Sequence, residues 1–107
     1  MANTFKSFTL DGITSETGFT AVGGSAIWVV IGLQVANVSA STATVTVTLR
    51  DMSASGDPKI HIVKSVPIPV GASLSLLDGK IIAEATDEIH VTSDFAVDCI
   101  LSVLEQA

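Results

Sequence analysis

The stretch VVIGLQVANVSASTATVTVTLRD, residues 29–51, decides how this chain is read. Its second half, Thr44, Val45, Thr46, Val47, Thr48 and Leu49, alternates with period two, and β-branched residues occupy both parities. That pattern is the signature of a half-buried strand, with valine and leucine turned to a core and threonine to the other face. The first half belongs to a longer apolar run, residues 27–38. Ile27, Val29, Ile31, Leu33 and Val35 share one parity, and Trp28, Val30 and Ala36 the other, so the expectation is a strand covered on both faces. Ser39, Ala40 and Ser41 supply small residues between the two, which predicts a hairpin.

Working outward, residues 52–58 (MSASGDP) collect Ser, Gly, Asp and Pro and read as a loop. A strand follows over residues 59–66, with Ile60, Ile62 and Val66 in phase. Pro67 and Pro69 cannot donate ladder hydrogen bonds, which predicts an edge or a connection there. Residues 73–76 alternate again, and Asp78-Gly79 predicts a two-residue hairpin turn before Lys80. Residues 88–92 form a short strand with Ile89 and Val91 inward. Phe95, Val97, Cys99, Leu101 and Val103 then share a parity in a final strand, with Asp98 and Ser102 opposite. Strands recurring at this spacing between turn signals give an all-β fold, an antiparallel β-sandwich or jelly-roll-like barrel in a single domain. We assign it to residues 25–107. Residues 1–24 are less periodic and read as an edge strand or an extended arm, anchored by Phe5, Phe8 and Phe19.

Composition narrows the functional classes. Apolar residues make up 48% of the 107 and charged residues 15%, against about 25% charged in an average soluble domain. A small domain has too little interior to hide such a surplus, so part of it is expected to meet another subunit. The formal net charge is −6, and the basic residues, Lys6, Arg50, Lys59, Lys64 and Lys80, are scattered. Phosphate recognition needs clustered positive charge, so no direct nucleic-acid partner is expected. The apolar run over residues 26–33 is far shorter than a membrane-spanning helix, which needs about 20 residues. No membrane association is expected. Residues 1–12 lack the apolar segment of a secretory signal, so the mature chain is expected to start there.

The groups that could carry chemistry do not assemble into a motif. His61 and His90 alternate with core positions and have no second ligand at a metal-binding spacing. Asp87, Glu88, Asp94 and Asp98 lack the glycine-turned oxygen loop that calcium requires, and read as turn-forming and solubilising acids. No Gly-x-Ser-x-Gly elbow is present, and AVGGSAI (residues 21–27) lacks the lysine of a phosphate loop. Cys99 has no partner cysteine and sits in an apolar stretch, as a buried structural thiol does. The expectation is a protein that is not an enzyme, with no catalytic residues, no metal and no cofactor. Trp28 reads either as core or as an anchor at a subunit contact, where tryptophan is enriched. With Phe5, Phe8 and Phe19 it makes the candidate protein–protein interface, and Trp28 or Phe19 could alternatively stack on a sugar ring.

IGLQVANVSASTATVTVTLRD (residues 31–51), VKSVPIPVGASLSLLDGKIIAEATDEIHVTSD (63–94) and AVDCILSVLE (96–105) resemble, in order and spacing, a family of small all-β virion structural proteins of tailed bacteriophages. There, a GLxVAN segment precedes a threonine-valine strand, VPxPxGxSL leads to a GK hairpin, and EAxDxIxVTS precedes a last strand ending near LSxLE. The resemblance covers some two thirds of the chain and leaves out residues 1–25. It implies a capsid decoration or cement protein, made in the host cytoplasm and displayed on the outer surface of the capsid. Its implied partners are the major capsid protein or another virion protein, and further copies of itself, a trimer among the forms. A place on the neck, tail or a fibre, and a carbohydrate-binding module, are the alternatives.

Overall fold

The structure, a computed structural model, describes residues 3–20, 27–51, 55–56, 58–76, 81–84 and 87–106. These residues form nine strands: β1 (Asn3–Ile13), β2 (Thr17–Thr20), β3 (Ile27–Asn37), β4 (Ala43–Arg50), β5 (Lys59–Ile68), β6 (Ser73–Ser75), β7 (Ile81–Ala83), β8 (Glu88–Ser93) and β9 (Val97–Gln106). They pair into two antiparallel sheets. One runs β1-β9-β3, with β6 and β7 both pairing along the far side of β3; the other runs β2-β8-β4-β5. The fold is an antiparallel β-sandwich, as the strand spacing predicts.

The interior follows from alternation. In β9 every second residue, Val97, Cys99, Leu101 and Val103, is buried; β4 contributes Ala43, Val45 and Val47, and β8 contributes Ile89 and Val91. These meet Trp28, Val30, Leu33 and Val35 of β3 across the middle layer in one core cluster. Burying a side chain of the size of Leu33 or Leu101 contributes about 1.5–3 kcal/mol.

β3 and β4 do not form the expected hairpin. They lie in different sheets, so the intervening residues cross the sandwich rather than reverse within one layer. Asn37 organises the crossing. It is buried, and its Nδ2 donates to the carbonyls of Ser41 and Ile68, both at 2.8 Å. Its Oδ1 accepts from the Ser39 amide at 2.9 Å and the Ser39 hydroxyl at 2.7 Å. The amide side chain is fully used, which is what its burial requires. The serines read as a tight hairpin loop are thus the partners of a corner.

β3 also departs from the expectation of two covered faces. Its ladder to β9 shifts register between Val30 and Gly32. The bulge places Trp28 and Val30 inward before it, and Leu33, Val35 and Asn37 inward after it, although these belong to opposite sequence parities. Ile27, Val29 and Ile31 are left on the outside. A single extra residue exchanges the faces of everything beyond it, because the side-chain period is two.

Three further expectations change. β5 is an edge strand, as Pro67 and Pro69 predict, and Ile62 and Val66 pack against the core as expected, but its ladder to β4 shifts register twice and Ile60, opposite Leu49, is exposed. Ser65, at one of these irregularities, has a left-handed φ of 54°, and its amide donates to Thr46 Oγ1 at 3.0 Å. Phe95 falls in the bend before β9, exposed, rather than on its inner row. The Asp78-Gly79 turn lies outside the described residues; the strands on either side, β6 and β7, pair with β3 at Gln34–Ala36 and Trp28–Val30 and not with each other. At the amino end, β1 is the edge of one sheet and β2 the edge of the other, joined by residues 14–16.

Candidate interaction face

The outward parity of the β1-β9-β3 sheet carries an unusual row. Phe5 is opposite Leu104, Leu104 is opposite Val29, and Val29 is opposite Ile82, so four apolar side chains cross β1, β9, β3 and β7 in direct register on one face. Directly opposed residues on an antiparallel ladder lie within about 5 Å of each other, so the row is continuous. Its ends stand proudest: Phe5 is 75% exposed and Ile82 51%. Ile31, turned out by the bulge, and Ile100, outward on β9, extend the row into a patch, and both are exposed. Ser7 opposite Ser102 lies between them. The acids Asp11 and Asp98 sit at the far end beside the β1 irregularity, where Asp98 Oδ1 accepts from the Gly12 amide at 2.7 Å. Thr9, Leu10, Asp11, Asp98, Cys99 and Ile100 line a shallow open depression there. Burial pushes the Cys99 thiol up to about 11, with the neighbouring Asp98 carboxylate adding to the shift. A thiol so placed is protonated near neutrality and is a poor nucleophile.

The outward face of the β2-β8-β4-β5 sheet is of another kind. Thr46 opposes Thr92, Thr48 lies between His90 and His61, and Arg50 lies between Glu88 and Lys59. Charge pairs knit it together. His90 Nε2 is 2.6 Å from Glu88 Oε1, and Arg50 reaches the same carboxylate at 3.7 Å. Glu16, on the β1–β2 link, meets Lys59 Nζ at 2.7 Å and lies 3.4 Å from His90 Nδ1. The Lys59 hydrogen bond, with charge attraction from Lys59 and His90, holds the Glu16 carboxyl below its usual value. The imidazole also lies against Gly18, where an added Cβ would come to 3.2 Å from Nε2. Among the described residues no three His, Cys, Asp or Glu side chains are grouped to hold a metal ion.

Of the four aromatic residues expected at an interface, only Phe5 is exposed. Trp28 is 1% exposed and turned inward, and Phe19 is 5% exposed in the same core. Phe8 is half-buried with its ring 4.9 Å from that of Trp28. Trp28 Nε1 donates to Glu105 Oε2 at 2.9 Å while Lys6 Nζ donates to Oε1 of the same carboxylate at 2.8 Å. Trp28 is therefore a core residue whose polar edge is satisfied at the sheet margin. Burial also removes Trp28 and Phe19 as stacking platforms for a sugar. The interface candidates that sequence reading missed are Val29, Ile31, Ile82, Ile100 and Leu104. For β9 a signal existed, since Ile100 and Leu104 share the parity of Asp98 and Ser102; for β3 the bulge concealed it.

No protein-family model matches the chain, and no curated protein matches it. Among solved structures it is similar to Drosophila NLP-core, whose crystal structure provides insight into pentamer formation and histone binding, with a TM-score of 0.60 at 8% identity, over 96% of this chain and 98% of that one. It is also similar to part of the structure of infectious bursal disease virus Gx strain, with a TM-score of 0.45 at 8% identity, over 97% of this chain but only 31% of that one. At such identities likeness speaks for the fold alone, an antiparallel β-sandwich; function has to be argued from the faces.

Proposed function

We propose that the chain is a virion structural protein of a tailed bacteriophage, a decoration or cement protein that binds the outside of the assembled head and strengthens it. Two things support this reading. The first is the order and spacing of the three segments that resemble such proteins, now seen at positions the fold depends on: Asn37 of the GLxVAN segment ties the crossing between sheets, VPIPVG ends the edge strand β5, and the LSVLE segment belongs to β9, the strand at the centre of the apolar row. The second, which carries the reading, is the contrast between a charge-poor apolar face and a polar, ion-paired one on the two sides of a rigid sandwich. Such a body can seat one side against protein and leave the other in water.

The mechanism is contact rather than turnover. Apolar burial contributes about 25 cal/mol per Å2 in gross terms, most of it offset by lost freedom on association, so each copy holds weakly and a shell of many copies sums the effect. Adding the purified protein to undecorated heads is expected to raise the temperature at which they rupture. Saturating bound copies should scale with the number of shell subunits. Unchanged rupture with no copies bound would remove the head assignment, and a copy number matched to a single neck or tail ring would move the protein there.

A further inference from the structure

We infer that the outer edge of β1 is a docking site for an extended segment of another protein, which adds to the sheet as a further strand. The inference deepens the structural role proposed above and rests on it only for the source of that segment, the head shell protein.

The edges of the two sheets are not equivalent. β2 has four residues and β6 and β7 three each, which leaves little ladder to extend. β5 is longer, but two register shifts, the left-handed φ of 54° at Ser65 and the missing amide hydrogen of Pro67 break its regularity. β1 has none of these interruptions from Asn3 to Leu10, which pair with Gln106 to Cys99 in eight consecutive steps and span about 26 Å. Among the described residues no strand pairs with its other side. In an antiparallel ladder alternate residues turn N–H and C=O toward the partner, so about half of this edge presents both groups outward. An extended backbone is the ligand that matches such a row along its length.

The core layer is also incomplete here. Cross-strand partners share a face, so Lys6, Phe8 and Leu10, opposite the buried Val103, Leu101 and Cys99, form the inward row of β1. Phe8 and Leu10 pack against the core cluster yet are only half-buried, unlike their partners on β9. A strand laid along β1 would cover the open flanks of these two side chains with its own alternate residues.

Lys6 decides which strand fits. Its ammonium is held at 2.8 Å by Glu105, and 43% of the side chain is exposed. An ammonium has three donors and is poorly tolerated against an apolar side chain, so an added strand must face it with an acceptor. Two copies pairing edge to edge about a two-fold at Lys6 set the lysines opposite each other, and a two-fold at Ser7 sets each Lys6 against Phe8. A two-fold at Phe5 keeps only residues 3–7 in the ladder. An inward-turned charge is one means by which edges avoid self-pairing. The segment that fits belongs to another chain, extended, apolar beside Phe8 and Leu10, and acidic beside Lys6.

The test is a synthetic peptide, Val-Thr-Val-Thr-Glu-Thr-Val-Thr, whose antiparallel pairing sets valines beside Leu10 and Phe8 and glutamate beside Lys6. Binding to the intact protein is read from amide chemical shifts, expected to change along residues 3–10. Lysine in place of the peptide's glutamate is expected to weaken binding about fivefold. Methylating the peptide's backbone nitrogens of one parity should abolish binding and those of the other parity leave it unchanged, because only one parity faces β1. No binding up to about 1 mM, equal binding of the lysine peptide, indifference to which parity is methylated, or shifts confined to the other sheet would each overturn the inference. Head binding separates the two claims. If the protein binds undecorated heads while the β1 amides exchange hydrogen as fast as in the free protein, strand addition is defeated and the decoration reading stands. A peptide that adds to β1 as expected, on a protein that ignores heads, does the reverse.

Discussion

The two exteriors of this sandwich are made by the same kind of strand, yet one carries an apolar row among serines and two acids, and the other a surface of threonines and ion pairs. On the β3 sheet the outward parity carries Phe5, Val29, Ile31, Ile82, Ile100 and Leu104; on the β4 sheet it carries threonines, two histidines and a chain of ion pairs. Both sheets need their inward residues, because a shared interior is what stabilises the fold. Only the outward parity is free to differ. Chemistry placed there, away from the common core, is the part of the molecule that answers to partners and solvent.

The comparison breaks most severely if the outer apolar residues are themselves needed for folding. Leu33→Ala, in the core, is expected to cost about 2–5 kcal/mol in urea unfolding. Ile100→Ser, on the neighbouring strand but outward, should cost the monomer less than about 0.5 kcal/mol. Equal losses would mean that the face belongs to the fold and not to a contact. On the other exterior, Glu88→Ala removes the carboxylate shared by Arg50 and His90 and is expected to cost about 1 kcal/mol, since the pair is partly exposed and solvent replaces some of what is lost.

Gly18→Ala sharpens the same point at closer range. The new methyl would meet an imidazole held by Glu88 on one nitrogen and facing Glu16 on the other. The ring has little freedom to withdraw, so the variant is expected to lose about 0.5–1 kcal/mol, read as a lower thermal midpoint. The smallest effect is acidic. Glu105, hydrogen-bonded first by Lys6 and then by Trp28, and Glu16, hydrogen-bonded by Lys59, have carboxyl values lowered on folding. Their contributions are present above the ordinary carboxylate value and fade as pH falls through the lowered folded values. Glu105→Gln should therefore flatten the acid limb of a plot of thermal midpoint against pH, and an unchanged limb would show that this carboxylate plays no part.

Much of the architecture was legible in the chain. The Thr-Val alternation of residues 44–49, the inward Ile89 and Val91, and the odd-numbered row from Val97 to Val103 all lie as their period requires. Pro67 and Pro69 marked the edge strand correctly. What misled was context. The small residues after Asn37 suit a hairpin loop and a crossing equally, and what distinguishes them is the buried amide, which reaches from β3 to the carbonyls of Ser41 in the connection and Ile68 in the other sheet. Trp28 and Phe19 carried the strongest residue-type signal for an interface, but type does not reveal which way a side chain points.

Local period and composition determined that the chain is all-β, that its strands share one core, and that it holds more apolar surface than a small interior can take in. Those properties depend on near neighbours along the chain, where side-chain alternation and turn chemistry act. Tertiary structure alone decided where the excess goes. The β3 bulge reverses the facing of half a strand, and the pairing of β1, β9, β3 and β7, residues far apart in sequence, aligns Phe5, Leu104, Val29 and Ile82 into a single row. Registration between distant strands is set by the packing of the whole core, and no local stretch contains it.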